Sequence, residues 1–511
     1  MAKTPREKLS QLLLGSDQTT SHSASVTLPA DRLVLSIEGI GRVGLPINAP
    51  QAKKLVAAAR PAHFGKGEET LLDASVRDTW EITPDQVTLS GDHWEPALTA
   101  ALEELSGQLG IPENARLRPE LHSMLVYGKG QFFAAHQDSE KHDDMVATLV
   151  LSLPSTHTGG DLVIDDNGAQ KVYKGSRHDL VLVAFYADRR HEVKLVRTGT
   201  RVTLTFNLLL EAASEQGPRG PLDQAKALIR AHFTTPTQLY TWDTPTLPGR
   251  LVLLLDHEYS QRSLTAKRLK GQDAERVALL TAAAEATDCE WALAQCEIQE
   301  TRDAVYSGGY RGRYEYFDDD KDDMEAGDLI DDSTALTWWA DAEAGGEIQL
   351  SVEEREICVV TPSAQLTPYA SEYEGFMGNY GNTFDRWYRR GALVIWPTET
   401  GFATRAAANL DWALGQALGA VEVGDTQRAR SQTRAITQEW GTGSGAELAT
   451  ALRLAHGVDD PDLALDVLAP FTLATFSTND APSLAELARR YPAAWWPELR
   501  RRWEARYPMP H

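Results

Sequence analysis

The residues best suited to do chemistry sit at the end of a short apolar run. Residues 131–135, QFFAA, read as a strand that ends in His136-Gln137-Asp138. In an extended chain, side chains two apart point to the same face, so His136 and Asp138 offer an imidazole and a carboxylate to one cation. His191, at the start of a later β-run, supplies a second imidazole. Two imidazoles and one carboxylate on a single face leave three adjacent coordination positions open, the pattern of oxygen-activating Fe(II). A rival HxD, His142-Asp143-Asp144, falls in the charged turn SEKHDD with no strand leading into it, and is expected to be a surface feature.

Arg201 opens the strand that follows His191, and Thr203 lies on the same face of it. A guanidinium is always charged and grips a carboxylate through two parallel hydrogen bonds. A 2-oxoacid that chelates iron through its C1 carboxylate and keto oxygen would place a far carboxylate against such a residue. Tyr127, on the preceding strand, is placed to add a hydrogen bond.

These side chains need a scaffold of strands, and residues 121–210 supply it. Short β-runs occur at 121–127, 131–135, 146–153, 161–165, 169–173, 179–186, 191–197 and 201–210. Gly159-Gly160, Asn167-Gly168, Gly175 and Thr198-Gly199-Thr200 punctuate them. Antiparallel strands of this number and size predict a jelly roll, or double-stranded β-helix. Ahead of it, 52–59 and 95–109 read as flanking helices and 68–81 as extended, with Arg77 and Trp80 as possible channel residues.

The predicted fold class is therefore α+β. Residues 1–28, rich in Ser and Thr and without periodicity, are expected to form a flexible leader. A catalytic domain over 29–213, with its jelly-roll core at 121–210, is then followed by SEQGPRGP at 214–221, which reads as a linker. A second, mixed α/β, non-catalytic domain is expected over 222–400, with a helix at 264–287, an acidic solvated loop at 315–332 and a β-rich portion beyond. Residues 401–511 read as a helical C-terminal region. Past residue 201 the histidines are His232, His257, His456 and His511, and none begins an HxD. The segment GFMGNYGNTFDRWYRRGALVIWP at 375–397 reads as packing with an Asp385–Arg389 pair, or as a cap over the site.

At the level of motifs the chain resembles the 2-oxoglutarate- and Fe(II)-dependent oxygenases, in their prolyl 4-hydroxylase-like branch. The resemblance rests on YGKGQFFAAHQD, on Gly159-Gly160-Asp161-Leu162 and on RHEVKLVRTGTRVTLTF, all within 121–210. It implies that His136, Asp138 and His191 hold the iron. It implies too that Arg201, with Tyr127 and Thr203, holds the distal carboxylate of 2-oxoglutarate. O2 would be the other co-substrate and ascorbate the reductant. Arg201 stands where prolyl hydroxylases often carry Lys. The implied reaction is hydroxylation of a C–H bond, with a protein or peptide side chain such as proline, or a small molecule, as substrate. The alternative is a cupin-like metal protein with another reaction, or a sensing module without catalysis.

With 42% hydrophobic and 24% charged residues the composition sits near the globular average. At 511 residues the chain exceeds the ~250–300 that one hydrophobic core serves, so two or more domains are expected. A formal charge of −23 repels phosphate backbones and disfavours nucleic acid as a partner. No apolar run approaches the ~20 residues of a membrane helix, and the first residues lack a secretory core, which makes the cytoplasm the expected location. Cys289, Cys296 and Cys358 form neither a disulfide framework nor a CxxC pair, so any metal must be held by His and carboxylates.

Overall fold

The structure is a computed structural model that describes residues 3–14, 21–66, 69–71, 73–112, 115–138, 142–166, 169–211, 221–238, 244–306, 324–340, 348–375 and 382–506. Two antiparallel sheets dominate its first part. The larger runs in the order Ser23–Pro29, Asp179–Tyr186, Met145–Ser152, Arg201–Glu211, Arg116–Tyr127, Trp80–Ile82 and Arg60–Pro61. The smaller runs Ala169–Tyr173, Leu162–Asp166, His191–Val193, Phe132–His136 and Arg77–Asp78. The β-runs read at 121–210 are all present. The run read as 191–197 is broken into His191–Val193 and Val196–Gly199, and the latter pairs with the additional strand His157–Gly159.

Strand alternation explains how the larger sheet is covered on both sides. Met124, Val126, Leu149, Leu151, Leu182, Ala184, Val202 and Leu204 face a core shared with Leu55, Leu98, Leu102 and Leu105 of the helices Ala49–Ala58 and Trp94–Leu109. Their neighbours Leu125, Tyr127, Val150, Val183 and Phe185 face the other way and pack on Phe133, Leu162, Ile164 and Val193 of the smaller sheet. Met145–Ser152 is accordingly buried at every residue, as a strand with both faces covered must be.

A second group of elements begins at the helix Leu222–Thr234. Its sheet runs Leu350–Ser351, Met324–Trp339, Cys289–Tyr306, Thr383–Pro397, Leu251–Leu254 and Ile357–Val359, with Ala370–Glu374 also paired to Thr383–Pro397. The helix Gly271–Glu285 packs on it through Leu279, Leu280 and Ala283. Among the described residues no sheet takes strands from both groups. Residues 398–506 are helical from Thr398–Ala408 to Trp495–Arg506, around a separate core that includes Leu414, Leu452, Leu468 and Trp503.

Three expectations are corrected here. Pro5–Leu14 is a helix, not a loose leader, because Leu9 and Leu13 fall on one helical face and are buried with Ala225 and Ile229 in the core of the second group. Ser23–Pro29 is an edge strand, paired in register from Ser23↔Phe185 to Pro29↔Asp179. Residues 324–332 of the acidic segment lie in the strand Met324–Trp339, where a long ribbon with Cys289–Tyr306 leaves the carboxylates exposed. The rest of that segment, 315–323, and the linker residues 214–220 lie outside the described residues. The Asp385–Arg389 pair does not form, since Thr383–Pro397 is a strand and i,i+4 side chains are neighbours only on a helix. Asp385 instead accepts from Thr301 Oγ1, and Arg389 lies 4.1 Å over the Tyr369 ring.

The N-terminal helix yields a test. Leu9→Ala removes a fully buried side chain and is expected to cost about 2–5 kcal/mol. It should lower the melting midpoint of the full-length protein; a midpoint equal to that of the wild type would return the segment to a loose leader.

Candidate metal centre

The smaller sheet brings the sequence-predicted ligands together. His136 and His191 are register partners on adjacent antiparallel strands. Asp138 lies just past the end of its strand, with Oδ1 3.7 Å from His136 Nε2 and 3.8 Å from His191 Nε2. One ligand atom from each of the three falls within 4.8 Å of the other two. That spacing suits a single cation coordinated by all three.

The donor chemistry fits a metal as well. His136 Nδ1 donates to the Ala134 carbonyl at 2.8 Å, and His191 Nδ1 donates to the Arg189 carbonyl at 3.1 Å. A carbonyl only accepts, so each ring carries a proton on Nδ1 and turns Nε2 toward Asp138. Burial, and then the neighbouring His191, push His136 down to about 3, which keeps it neutral as a ligand must be. Burial alone would raise the Asp138 carboxyl. The imidazoles of His191 and His136 and a 2.6 Å hydrogen bond from Thr148 outweigh it and hold Asp138 ionised. Phe133 stacks on His136 with ring centroids 3.5 Å apart, and Phe185 packs against His191 at 4.5 Å.

The larger sheet supplies the opposite wall. Arg201 and Tyr127 are register partners, as are Thr203 and Leu125. Arg201, Tyr127 and Thr203 line the same cavity between the sheets as His136, Asp138 and His191. Arg201 is 2% exposed and forms no ion pair among the described residues; burial draws its pKa below the ordinary guanidinium value. Thr203 Oγ1 is buried with no hydrogen-bond partner among the described residues. A buried cation beside an unsatisfied hydroxyl is costly unless an anion completes the site. The Gly-Gly turn makes room for this arrangement: Gly160 has φ +71°, and a Cβ there would come within 2.9 Å of Arg201 Cδ.

The rival histidine is committed elsewhere. His142 Nε2 bonds Glu120 at 3.2 Å, and Asp144 accepts an ion pair from Arg268 at 2.7 Å. Of the possible channel residues, Arg77 lines the cavity and lies 4.5 Å over the Phe133 ring, whereas Trp80 packs against the helical core. Sequence reasoning missed Thr148, whose only signal is a hydroxyl inside the apolar run MVATLVLS. It also missed Glu258, more than a hundred residues away in sequence, whose carboxylate accepts from Gln137 of the HxD motif at 3.1 Å.

His136 also borders a second cavity of about 250 Å³, a cleft between the two groups of elements. Gln137, Asp165 and Arg190 line one side of it, and Thr367, Tyr369 and Arg389 the other. The segment read as a possible cap thus contributes Tyr388, Arg389 and Arg390 to the approach to the site; residues 376–381 of it lie outside the described residues.

Residues 122–209 match the family model of the 2OG-Fe(II) oxygenase superfamily, so the resemblance carried by the motifs holds over that stretch. Two PKHD-type hydroxylases, from Shewanella sp. strains MR-7 and MR-4, are each 34% identical over 113 residues, which is 20% of this chain and 49% of theirs. The chain spans about half the length of the curated relatives it matches. Among solved structures, a Pseudomonas putida prolyl-4-hydroxylase is similar at 20% identity over 39% of this chain and 98% of its own, with a TM-score of 0.24. An oxidoreductase of the 2OG-Fe(II) oxygenase family from Burkholderia pseudomallei is similar at 17% identity over 40% and 90%, with a TM-score of 0.22.

Proposed function

We propose that the chain is an Fe(II)- and 2-oxoglutarate-dependent dioxygenase that hydroxylates a C–H bond, with a jelly-roll catalytic domain and a non-catalytic second domain. The observation that carries this reading is a buried Arg201, without an ion pair among the described residues, in the same cavity as a His136–Asp138–His191 donor set. His136, Asp138 and His191 are the proposed iron ligands. Arg201 is proposed to grip the distal carboxylate of 2-oxoglutarate, with Thr203 Oγ1 and the Tyr127 hydroxyl as hydrogen-bonding assistants. Iron in this site supplies the activation of O2, coupled to decarboxylation of 2-oxoglutarate to succinate.

The protein's own part is orientation and exclusion of water. The two Nδ1 hydrogen bonds fix the ligand rings, and the Thr148 hydroxyl fixes Asp138. Phe133, Phe185, Leu162 and Val193 keep the surroundings apolar. The substrate is proposed to be a protein or peptide side chain, such as proline, that reaches His136 from the cleft. The support is the hydroxylase character of the relatives and a cleft that opens on the metal site. Ascorbate is the proposed reductant. The three cysteines are free and buried, which suits a reducing compartment, and the cytoplasm is the proposed location.

The test is succinate formation by purified full-length protein supplied with Fe(II), ascorbate, 2-oxoglutarate and a pool of peptides. Succinate that depends on both metal and 2-oxoglutarate, and rises with the right peptides, is the expected result. Metal binding without consumption of 2-oxoglutarate would overturn the reading in favour of another cupin-like chemistry.

A further inference from the structure

The two sheets of the first part and the second group of elements meet beside the proposed metal ligands. On the side of the two sheets are Gln137, set between His136 and Asp138, and residues 188–189, just ahead of His191. On the other side is the short segment 256–258 that follows the strand Leu251–Leu254. Gln137 Nε2 donates both to the Asp188 carbonyl at 2.9 Å and to Glu258 Oε2 at 3.1 Å. The Glu258 backbone N–H donates to Asp188 Oδ2 at 3.1 Å, and His257 Nδ1 lies 3.0 Å from the same oxygen. Arg189 Nη2 donates to the Asp256 carbonyl at 2.9 Å, while the Arg189 carbonyl is the acceptor that orients His191.

One three-residue segment therefore touches the backbone or side chain next to all three proposed ligands. The segment is itself held rigidly. Asp273 accepts from the backbone N–H of Asp256 and His257, and Lys270 Nζ donates to the Glu258 carbonyl at 2.9 Å. Gln137 is exposed in the ligand motif, and an exposed glutamine keeps its rotamer freedom unless a fixed partner holds it. Glu258 is such a partner, because its own backbone is tied to Asp188 and Lys270.

We infer that Glu258 is a positioning residue for the metal centre: through Gln137 it fixes the geometry of the His136–Asp138 segment, so the second group of elements completes the site. The inference rests on the proposed metal site. It predicts that the proposed ligands are pre-arranged only when residues 256–258 are in place, although none of these lines the cavity that all three ligands share. Outer partners of ligands change metal affinity by about 10–100-fold, and Glu258 acts one step further out, so an effect near the lower end is expected.

The experiment is anaerobic titration of the full-length protein with Co(II), followed by the visible absorption of the bound ion. Glu258→Ala and Gln137→Ala should each weaken Co(II) binding by about tenfold and alter the band shape. The double variant should be no weaker than the more affected single, since both break one link. Glu258→Gln keeps an oxygen acceptor for Gln137 and should restore the wild-type spectrum. Glu356→Gln removes a buried ion pair to Arg250 elsewhere in the second group, and should lower the melting midpoint without moving Co(II) affinity. Wild-type affinity and spectrum in Glu258→Ala, or losses that multiply in the double variant, would overturn the inference. Co(II) retained by His136→Ala would instead remove the metal site on which it rests.

Discussion

His136→Ala and Asp138→Ala are each expected to abolish stoichiometric Fe(II) binding and all metal-dependent succinate formation. The loss should exceed the ~10–100-fold that outer partners of a metal site contribute, because each variant deletes one of the three proposed ligands. His142→Ala should bind iron as the wild type does. Its imidazole is half exposed and paired with Glu120, and Asp144 of the same rival motif is paired with Arg268. The measurement is iron content after anaerobic loading and desalting, one Fe(II) per chain for wild type and His142→Ala. Full iron content in the His136→Ala protein would sink the assignment.

Arg201→Ala is expected to raise the 2-oxoglutarate requirement steeply while leaving iron binding nearly unchanged. Leaving a buried carboxylate without its charged partner costs about 2–5 kcal/mol, or ~30-fold to several-thousand-fold in affinity. Arg201 and the ligands line one cavity but sit on different sheets, which is why the two effects separate. Arg201→Lys keeps the charge and loses the fork, so it should fall between wild type and Ala. Calorimetry under anaerobic conditions, with Fe(II) or a redox-inert divalent ion in the site, reads the affinity directly. An Ala variant that binds 2-oxoglutarate like wild type would mean that another cation holds the distal carboxylate, or that 2-oxoglutarate is not the co-substrate.

These two predictions and the cobalt titration separate three layers of the site. The first tests the ligands, the second the co-substrate cradle, and the third the support that reaches in from beyond the barrel. A site with intact ligands and cradle but a loosened Gln137 would bind metal and 2-oxoglutarate more weakly without losing either residue type.

Sequence alone was sufficient for what depends on local order. Short β-runs and glycine-rich turns located the strands from Arg116–Tyr127 to Arg201–Glu211 except His157–Gly159 and the break between His191–Val193 and Val196–Gly199. The types and spacing of His136, Asp138, His191 and Arg201 named the candidate site, since an HxD at a strand end and an arginine opening a strand are local patterns. The leader was misread because its Ser and Thr content hid the helical pair Leu9 and Leu13 and the strand alternation of Ala24, Val26 and Leu28. Only the tertiary structure decided that the smaller sheet sets His136 and His191 across a cavity from Arg201 and Thr203 of the larger one, leaving Thr203 Oγ1 buried and unpartnered among the described residues. Only it placed Glu258 on Gln137 and opened the cleft beside His136. The physical reason is that periodicity reports which face of an element is buried, not what covers it. Burial of a charge, and a hydrogen bond between residues far apart in the chain, exist only once the packed elements have excluded water from the space between them.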